Sequence, residues 1–398
     1  MARPIDEQQR TPSWRAERSP ALAFWKGEPA ERFGRLHFSY LALAAPLVLG
    51  GCDRAPSSSQ PEPTASGSAS VAQPASVAPA ASSAAASEPS ADELCQRFGS
   101  APVPSEDQPA ADETAALRGC DAEALYYGIG APADFERARH CAYAALGQDG
   151  DKAIGSAEIL MMLYANGRAV PANLDLALRF ACQVGGAPFE LGGRVSRLWQ
   201  ARSGARPLGP FDVCDDVTSG NMQGYCAAHE ERVAAPARDA RRRAATAGMP
   251  AELRALEDSA QRFFDARAKL EVDRSGTLRG VLSIEERAKL EDDFVKTLEQ
   301  LRDRGFVPDR LDANTVDKKL AAQLARIASC KNLADLEAIA PGVTTRAGIK
   351  KTHALWVAYR AAFVALAQKV RPDVERAAWH AFVTEKRTLQ LAELADGC

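Results

Sequence analysis

Thiols, imidazoles and clustered carboxylates are the side chains through which this chain could do covalent or metal chemistry. It carries nine cysteines and five histidines, the latter being His37, His140, His229, His353 and His380. No two cysteines form a CxxC pair, so the ligand spacing of a zinc ribbon or an iron–sulfur cluster is missing. His229-Glu230-Glu231-Arg232 lacks the second imidazole of a zinc-hydrolase helix. Cys141 follows His140, but neighbours along a helix point to different faces, which disfavours a thiolate–imidazole couple. Gly128-Ile-Gly130 is too short to cradle phosphates. Asp212/Asp215/Asp216 and Glu291/Asp292/Asp293 lack complete calcium-loop spacing and read as solvated charge. The expectation is a protein that is not an enzyme, with no catalytic residue, no metal and no cofactor.

The cysteines point elsewhere. Residues 38–52 read Phe-Ser-Tyr-Leu-Ala-Leu-Ala-Ala-Pro-Leu-Val-Leu-Gly-Gly-Cys, after Arg32, Arg35 and His37. A basic patch followed by a short apolar run is a secretory signal, too short for a stable transmembrane span. Its end, Leu49-Gly50-Gly51-Cys52, resembles the lipobox of bacterial lipoproteins. That resemblance implies lipidation of Cys52 as the first mature residue and retention on a membrane of the cell envelope. The leaflet stays open, because Asp53 resembles an inner-membrane retention signal only in some lineages. The polar stretch Pro4–Glu31 is long for a leader, and either an over-extended start or a genuine long leader accounts for it.

Without Cys52 eight cysteines remain: Cys95, Cys120, Cys141, Cys182, Cys214, Cys226, Cys330 and Cys398. An even number in an exported chain predicts disulfides, though eight allow about 105 pairings. Cys214 with Cys226 is favoured, because Thr218, Ser219, Gly220 and Asn221 between them are turn formers. A loop of that size stabilises by about 3 kcal/mol in the chain-entropy model.

These sites need elements to hold them. Across residues 55–92, 29 of 38 positions are Ala, Ser or Pro, with no aromatic, Leu or Ile. Such a segment buries too little to offset ordering entropy, so 53–92 is expected to be a disordered tether. Residues 93–205 contain a repeat at an offset of 39: Gly128 matches Gly167, Asp134 matches Asn173, and Ala138 matches Ala177. Each unit predicts a helix, a Gly-rich turn and a second helix capped by Asp134 or Asn173. The pattern resembles the Sel-one-like repeat, a relative of the tetratricopeptide repeat. It departs at Ala131, Arg137, Leu176 and Ala169, and the Tyr residues of the first unit are displaced. The resemblance implies an α/α solenoid whose concave face binds protein, or a scaffold that merely packs.

Beyond Pro207 and Pro210, apolar residues recur at steps of three and four in two successive stretches, 211–305 and 310–398. A helix is expected from about Arg238 to Ala247, then one bearing Leu256, Phe263 and Leu270, then a Gly276–Gly280 loop. Ser283 and Glu286 read as a capping box for the next helix. Phe263-x-x-x-Arg267 aligns with Trp356-x-x-x-Arg360, and Phe294-Val295 with Phe382-Val383. Arg267 and Arg360 are expected to lie on aromatic rings and reach carboxylates within the bundle. The Cys214–Cys226 spacing, Thr218, Met222, Phe263 and Arg267 together resemble the LprI-type lysozyme-inhibitor family, with a second, divergent copy keeping Trp356 and Arg360. Asn221, the early Met222, Ala268 and Ala361 depart from the family, and the second copy lacks the leading Cys pair.

The expected architecture is all-α: signal with lipobox (1–52), linker (53–92), helical repeats (93–205) and two helical modules, disulfide-stapled. The resemblances imply a membrane-anchored, non-catalytic envelope protein that binds lysozyme or another envelope protein. The alternative is an envelope scaffold acting through its repeats. Lys plus Arg (49) against Asp plus Glu (52) gives a net charge of -3, which disfavours nucleic acid as a partner; Arg241–Arg243 reads as a helix face. From residue 53 onward 42 basic and 47 acidic side chains leave -5, at best weakly complementary to a cationic lysozyme.

Overall fold

The computed structural model describes residues 88–398 apart from 151, 153, 310 and 334–341. The signal segment, Cys52 and most of the expected linker lie outside the described residues. Among the described residues every regular element is a helix and there is no strand, so the chain is all-α and disulfide-stapled as expected.

The first helix, α1 (Ala91–Phe98), begins inside the stretch expected to be disordered. Ser90 explains this. Its hydroxyl accepts from the Glu93 N–H (3.2 Å), and the Glu93 carboxylate accepts from the Ser90 N–H (2.8 Å). This reciprocal cap satisfies two free donors and outweighs the Ala/Pro-rich composition before it.

α2 (Ala111–Ala116), α3 (Ala122–Tyr127), α4 (Phe135–Ala145), α5 (Ser156–Asn166), α6 (Leu174–Ala181) and α7 (Pro188–Arg202) complete an N-terminal body. The repeat is visible bond for bond. Gly128 ends α3 and Gly167 ends α5, both left-handed (φ 72° and 63°). The Asp134 N–H donates to the Leu125 carbonyl (2.9 Å), and 39 residues on the Asn173 N–H donates to Tyr164 (3.0 Å). Asp134 and Asn173 then cap α4 and α6. Ala138 and Ala177 are fully buried. The run Ile159-Leu160-Met161-Met162-Leu163 has no exposed member, because α5 packs against α3, α4 and α6 at once; a helix apolar all round is a central one.

The C-terminal body consists of α8 (Gly220–Thr246), α9 (Glu252–Leu270), α10 (Arg279–Arg302), α11 (Ala313–Ala328), α12 (Arg346–Val370) and α13 (Arg376–Ala395). Its order is doubled. α8 packs on α10 and α10 on α9; α11 packs on α13 and α13 on α12; α9 and α12 join the halves. The two halves share one core, in which Phe263, Phe294, Leu298, Trp356, Phe363 and Trp379 lie together.

Two local expectations are corrected. α8 starts at Gly220, not near Arg238, because the Ser219 hydroxyl accepts from the Met222 N–H (3.3 Å) and caps it. Cys226 is therefore helical. Ser283 does not cap α10, which starts at Arg279 and replaces the expected loop end at Gly280. The backbones approach most closely at Gly220, where an added Cβ would lie 2.7 Å from the Thr277 carbonyl oxygen just before α10, while Gly224 faces Gly280 at ordinary contact distance.

Candidate functional site

The four signature residues converge on the seam between the halves. Phe263 on α9 and Trp356 on α12 line one small cavity with Phe264, Phe294 and Tyr359. Phe263 stacks on Tyr359 (5.6 Å) and Phe264 meets Phe294 edge-on (5.8 Å). The cavity holds about 30 Å³, room for roughly one water and no substrate. Its polar rim is Asp293, Thr297, Lys386, Arg387 and Gln390. The Lys386 ammonium donates to the Thr297 hydroxyl (2.8 Å) and lies 5.2 Å from the Phe382 ring centre. Burial pushes the Lys386 pKa down, with Asp293 opposing.

Both signature arginines are committed inside the bundle. The Arg360 guanidinium lies 4.6 Å from the Trp356 ring centre and donates to Asp317 (3.1 Å) and Thr384 (3.2 Å). Arg267 binds Glu286 and, one turn along its own helix, Glu271 (3.0 Å). Glu271 also receives Arg387 from α13 (2.7 Å). The side chains of Glu271 and Arg387 are 0% exposed, so this is a buried charge network bridging the halves. His353 stacks beside Trp356 (5.3 Å). Burial, with Arg387 and Arg360 nearby, lowers its pKa to about 4.

All eight described cysteines are paired: Cys95–Cys182, Cys120–Cys141, Cys214–Cys226 and Cys330–Cys398. The favoured Cys214–Cys226 pair forms, and the other three join residues 21 to 87 apart in sequence. Cys141 is thus unavailable as a thiolate, and His140 faces Glu113 (2.8 Å). Asp215 and Asp216 pair with Arg197, Glu291 with Arg287, and Asp292 with Arg238 and Arg241. Among the described residues no three His, Cys, Asp or Glu side chains converge as metal ligands, and no helix is long and apolar enough to cross a membrane.

Sequence reasoning missed two networks. Glu271 was detectable, since Arg267 precedes it by four residues on one helix face; Arg387 was not. The second network joins the two bodies. Glu123 of α3 lies 2.6 Å from His229 Nδ1 and accepts from Arg232, which also reaches Asp121. Tyr127 packs on the His229 ring and donates to Asp212 (2.8 Å). Nearby, Glu190 accepts the N–H groups of Ser219, Thr218 and Ala187. Burial raises its pKa, but these donors prevail and hold it at about 2.

No family model, curated protein or solved structure matches the chain.

Proposed function

We propose that this chain is a non-catalytic, lipid-anchored protein of the bacterial envelope that binds another protein, in the manner of LprI-type lysozyme inhibitors. One observation carries the reading. The four disulfides use every cysteine except Cys52, and Cys52 alone follows the Leu49-Gly50-Gly51 end of an apolar run. Four structural disulfides suit an oxidising compartment, and the leftover thiol is the one that export would acylate. One acyl chain binds a membrane only marginally, whereas several make an anchor.

The seam supports binding over catalysis. Its arginines are paired with carboxylates inside the bundle, and its cavity is too small for a glycan. Partner binding then falls to the outer surface, with steric occlusion of a muramidase cleft as the mechanism. The second reading, a scaffold acting through the Sel-one-like repeats, is favoured by a charged groove in the N-terminal body.

The test labels cells expressing the full chain with a palmitate analogue. Labelling that Cys52→Ala abolishes, together with release of that variant from membranes, is the expected result. The purified lipoprotein is then titrated into lysozyme acting on cell walls. Inhibition with a complex on gel filtration supports the inhibitor reading; neither leaves the scaffold ahead. An unmodified Cys52 with eight reduced thiols sinks both.

A further inference from the structure

The N-terminal body leaves a groove along α2 and α4. One part, of about 530 Å³, is bounded by Val103, Gln108, Pro109, Tyr143, Leu146 and Arg179. The other, of about 380 Å³, continues past Thr114 and Ala144, which border both, to Arg118, Gln148 and Lys152. Three cations line the two parts, and no carboxylate does among the described residues, although the chain has more acidic than basic side chains.

Two of the neighbouring acids are engaged elsewhere, and Asp149 is shared between Ser156 and the groove's Lys152. Glu113 faces His140 (2.8 Å), and Asp107 accepts from the Tyr164 hydroxyl (2.8 Å). Asp149 accepts both the N–H (2.9 Å) and the hydroxyl (2.7 Å) of Ser156, and lies 3.7 Å from the Lys152 ammonium. Arg118 is exposed and makes no ion pair among the described residues. Arg179 donates to the Ala101 carbonyl with one nitrogen, which fixes it as a wall of the groove.

We propose that this groove binds an extended acidic segment of a partner protein. Charge complementarity selects the sign of the ligand. The mixed lining favours a polypeptide. Apolar Val103, Pro109 and Leu146 border the same part as Arg179, and Gln108, Gln148 and Thr114 offer amides and a hydroxyl oxygen to a main chain. An extended peptide presents both side chains and backbone groups to such a lining. A polyanionic glycan would meet three charges and several apolar walls. The groove is also preorganised. Cys120–Cys141 fastens its floor, and Cys95–Cys182 ties α1 to the end of α6, the helix that carries Arg179. A rigid site loses little ordering entropy on binding.

The proposal goes beyond the lysozyme reading and does not depend on it: an inhibition assay can fail while peptide binding holds, and the reverse. The test uses the full chain in detergent micelles and a fluorescein-labelled peptide of alternating Glu and Ala, read by anisotropy. Saturable binding is expected, with affinity falling by about tenfold in Arg118→Glu/Lys152→Glu and as salt is raised. Arg118→Lys/Lys152→Arg should keep the affinity. Arg118→Gln, a neutral change at an exposed site, guards against misfolding of the charge-reversed variant and should weaken binding by about threefold. Absence of saturable binding, unchanged affinity in the charge-reversed and Arg118→Gln variants, or equal binding of the Gln-for-Glu peptide would overturn the proposal. So would displacement of the peptide by alginate at matched charge concentration, which would make this a polyanion site.

Discussion

Removing Glu271 should cost more than removing any other carboxylate of the C-terminal body. Its side chain is wholly buried and accepts from Arg387 (2.7 Å to Nη1, with a second bond from Nη2) and from Arg267 (3.0 Å). Arg267 keeps Glu286 when Glu271 is lost. Arg387 does not fare as well: Gln390 (3.3 Å) is the other acceptor it reaches, so Glu271→Gln leaves a buried guanidinium without a counter-charge. Breaking one partner of a buried pair costs about 3–5 kcal/mol. With a urea m-value of about 1–3 kcal/mol/M, that moves the unfolding midpoint by roughly 1–5 M. Trp356 and Trp379 are buried in the same core, so their fluorescence reports the transition with disulfides intact. Glu271→Leu/Arg387→Met should recover most of the loss, because replacing both charges removes the desolvation penalty along with the attraction. A loss below about 1 kcal/mol for Glu271→Gln, or a double variant as unstable as the single one, would refute the idea that these charges depend on each other.

Ala169 is held at φ 56° where its repeat partner is Gly130 at φ 78°; Ala169→Gly should stabilise by about 0.5–1 kcal/mol and Gly130→Ala should destabilise by about 1 kcal/mol, read as thermal shifts. At Gly220 an added Cβ would lie 2.7 Å from the Thr277 carbonyl oxygen, whereas at Gly224 it meets the facing backbone no closer than 4.0 Å. Gly220→Ala should therefore cost about 1–3 kcal/mol and Gly224→Ala nearly nothing, a contrast that equal effects in denaturant titrations would contradict. Acid should destabilise in two windows. His353, with a folded pKa of about 4 against an ordinary 6.5, disfavours the folded state increasingly as pH falls between those values. Its partial solvation keeps the penalty to about 1 kcal/mol. Glu190, held at about 2 against an ordinary 4.5, stabilises above 4.5 and loses that contribution as pH falls towards 2. His353→Gln should flatten the melting temperature between pH 6.5 and 4 and leave the lower window unchanged; an unaltered upper window would count against this assignment.

Part of what is local was legible, though the caps at Ser90 and Ser219 were not and Ser283 was misread. The offset-39 repeat and the caps at Asp134 and Asn173 follow from backbone requirements that few residue types meet. Phe263-x-x-x-Arg267 and Trp356-x-x-x-Arg360 were visible as a pattern because a ring and a guanidinium four apart share a helix face. What they face was not visible. Glu271 and Arg387 are 116 residues apart, and Glu123 and His229 are 106 apart; no short-range rule pairs them. The early start of α8 was hidden because Gly220, Gly224 and Pro236 look like loop residues, whereas at Gly220 the close approach of the Thr277 backbone makes glycine the residue that fits. The groove draws its lining from separate segments between residues 103 and 180, so its charge emerges only when they are folded together.

The doubled order of the C-terminal helices also explains why the second half can lack the Cys pair that opens the first. In each half the first helix packs against the third. In the first half Cys214–Cys226 secures the start of α8, and Arg302 of α10 donates to the carbonyls of Ala244 (2.7 Å) and Ala247 (3.0 Å) at its end. In the second half the direction is reversed. Arg326 of α11 donates to the Ala395 carbonyl (3.1 Å) at the end of α13, and Cys330–Cys398 locks the same ends covalently. A cationic side chain on the last carbonyls of a neighbouring helix satisfies orphan acceptors and opposes the negative end of that helix's dipole. The second half therefore holds its outer helix pair with a disulfide and an arginine, whereas in the first half the arginine alone bridges the pair and the disulfide ties α8 to the segment before it. The seam of α9 and α12, where Glu271 and both aromatic–Arg pairs lie, carries no disulfide. Reduction should loosen the α11–α13 pair first and leave that seam to its buried rings and charges.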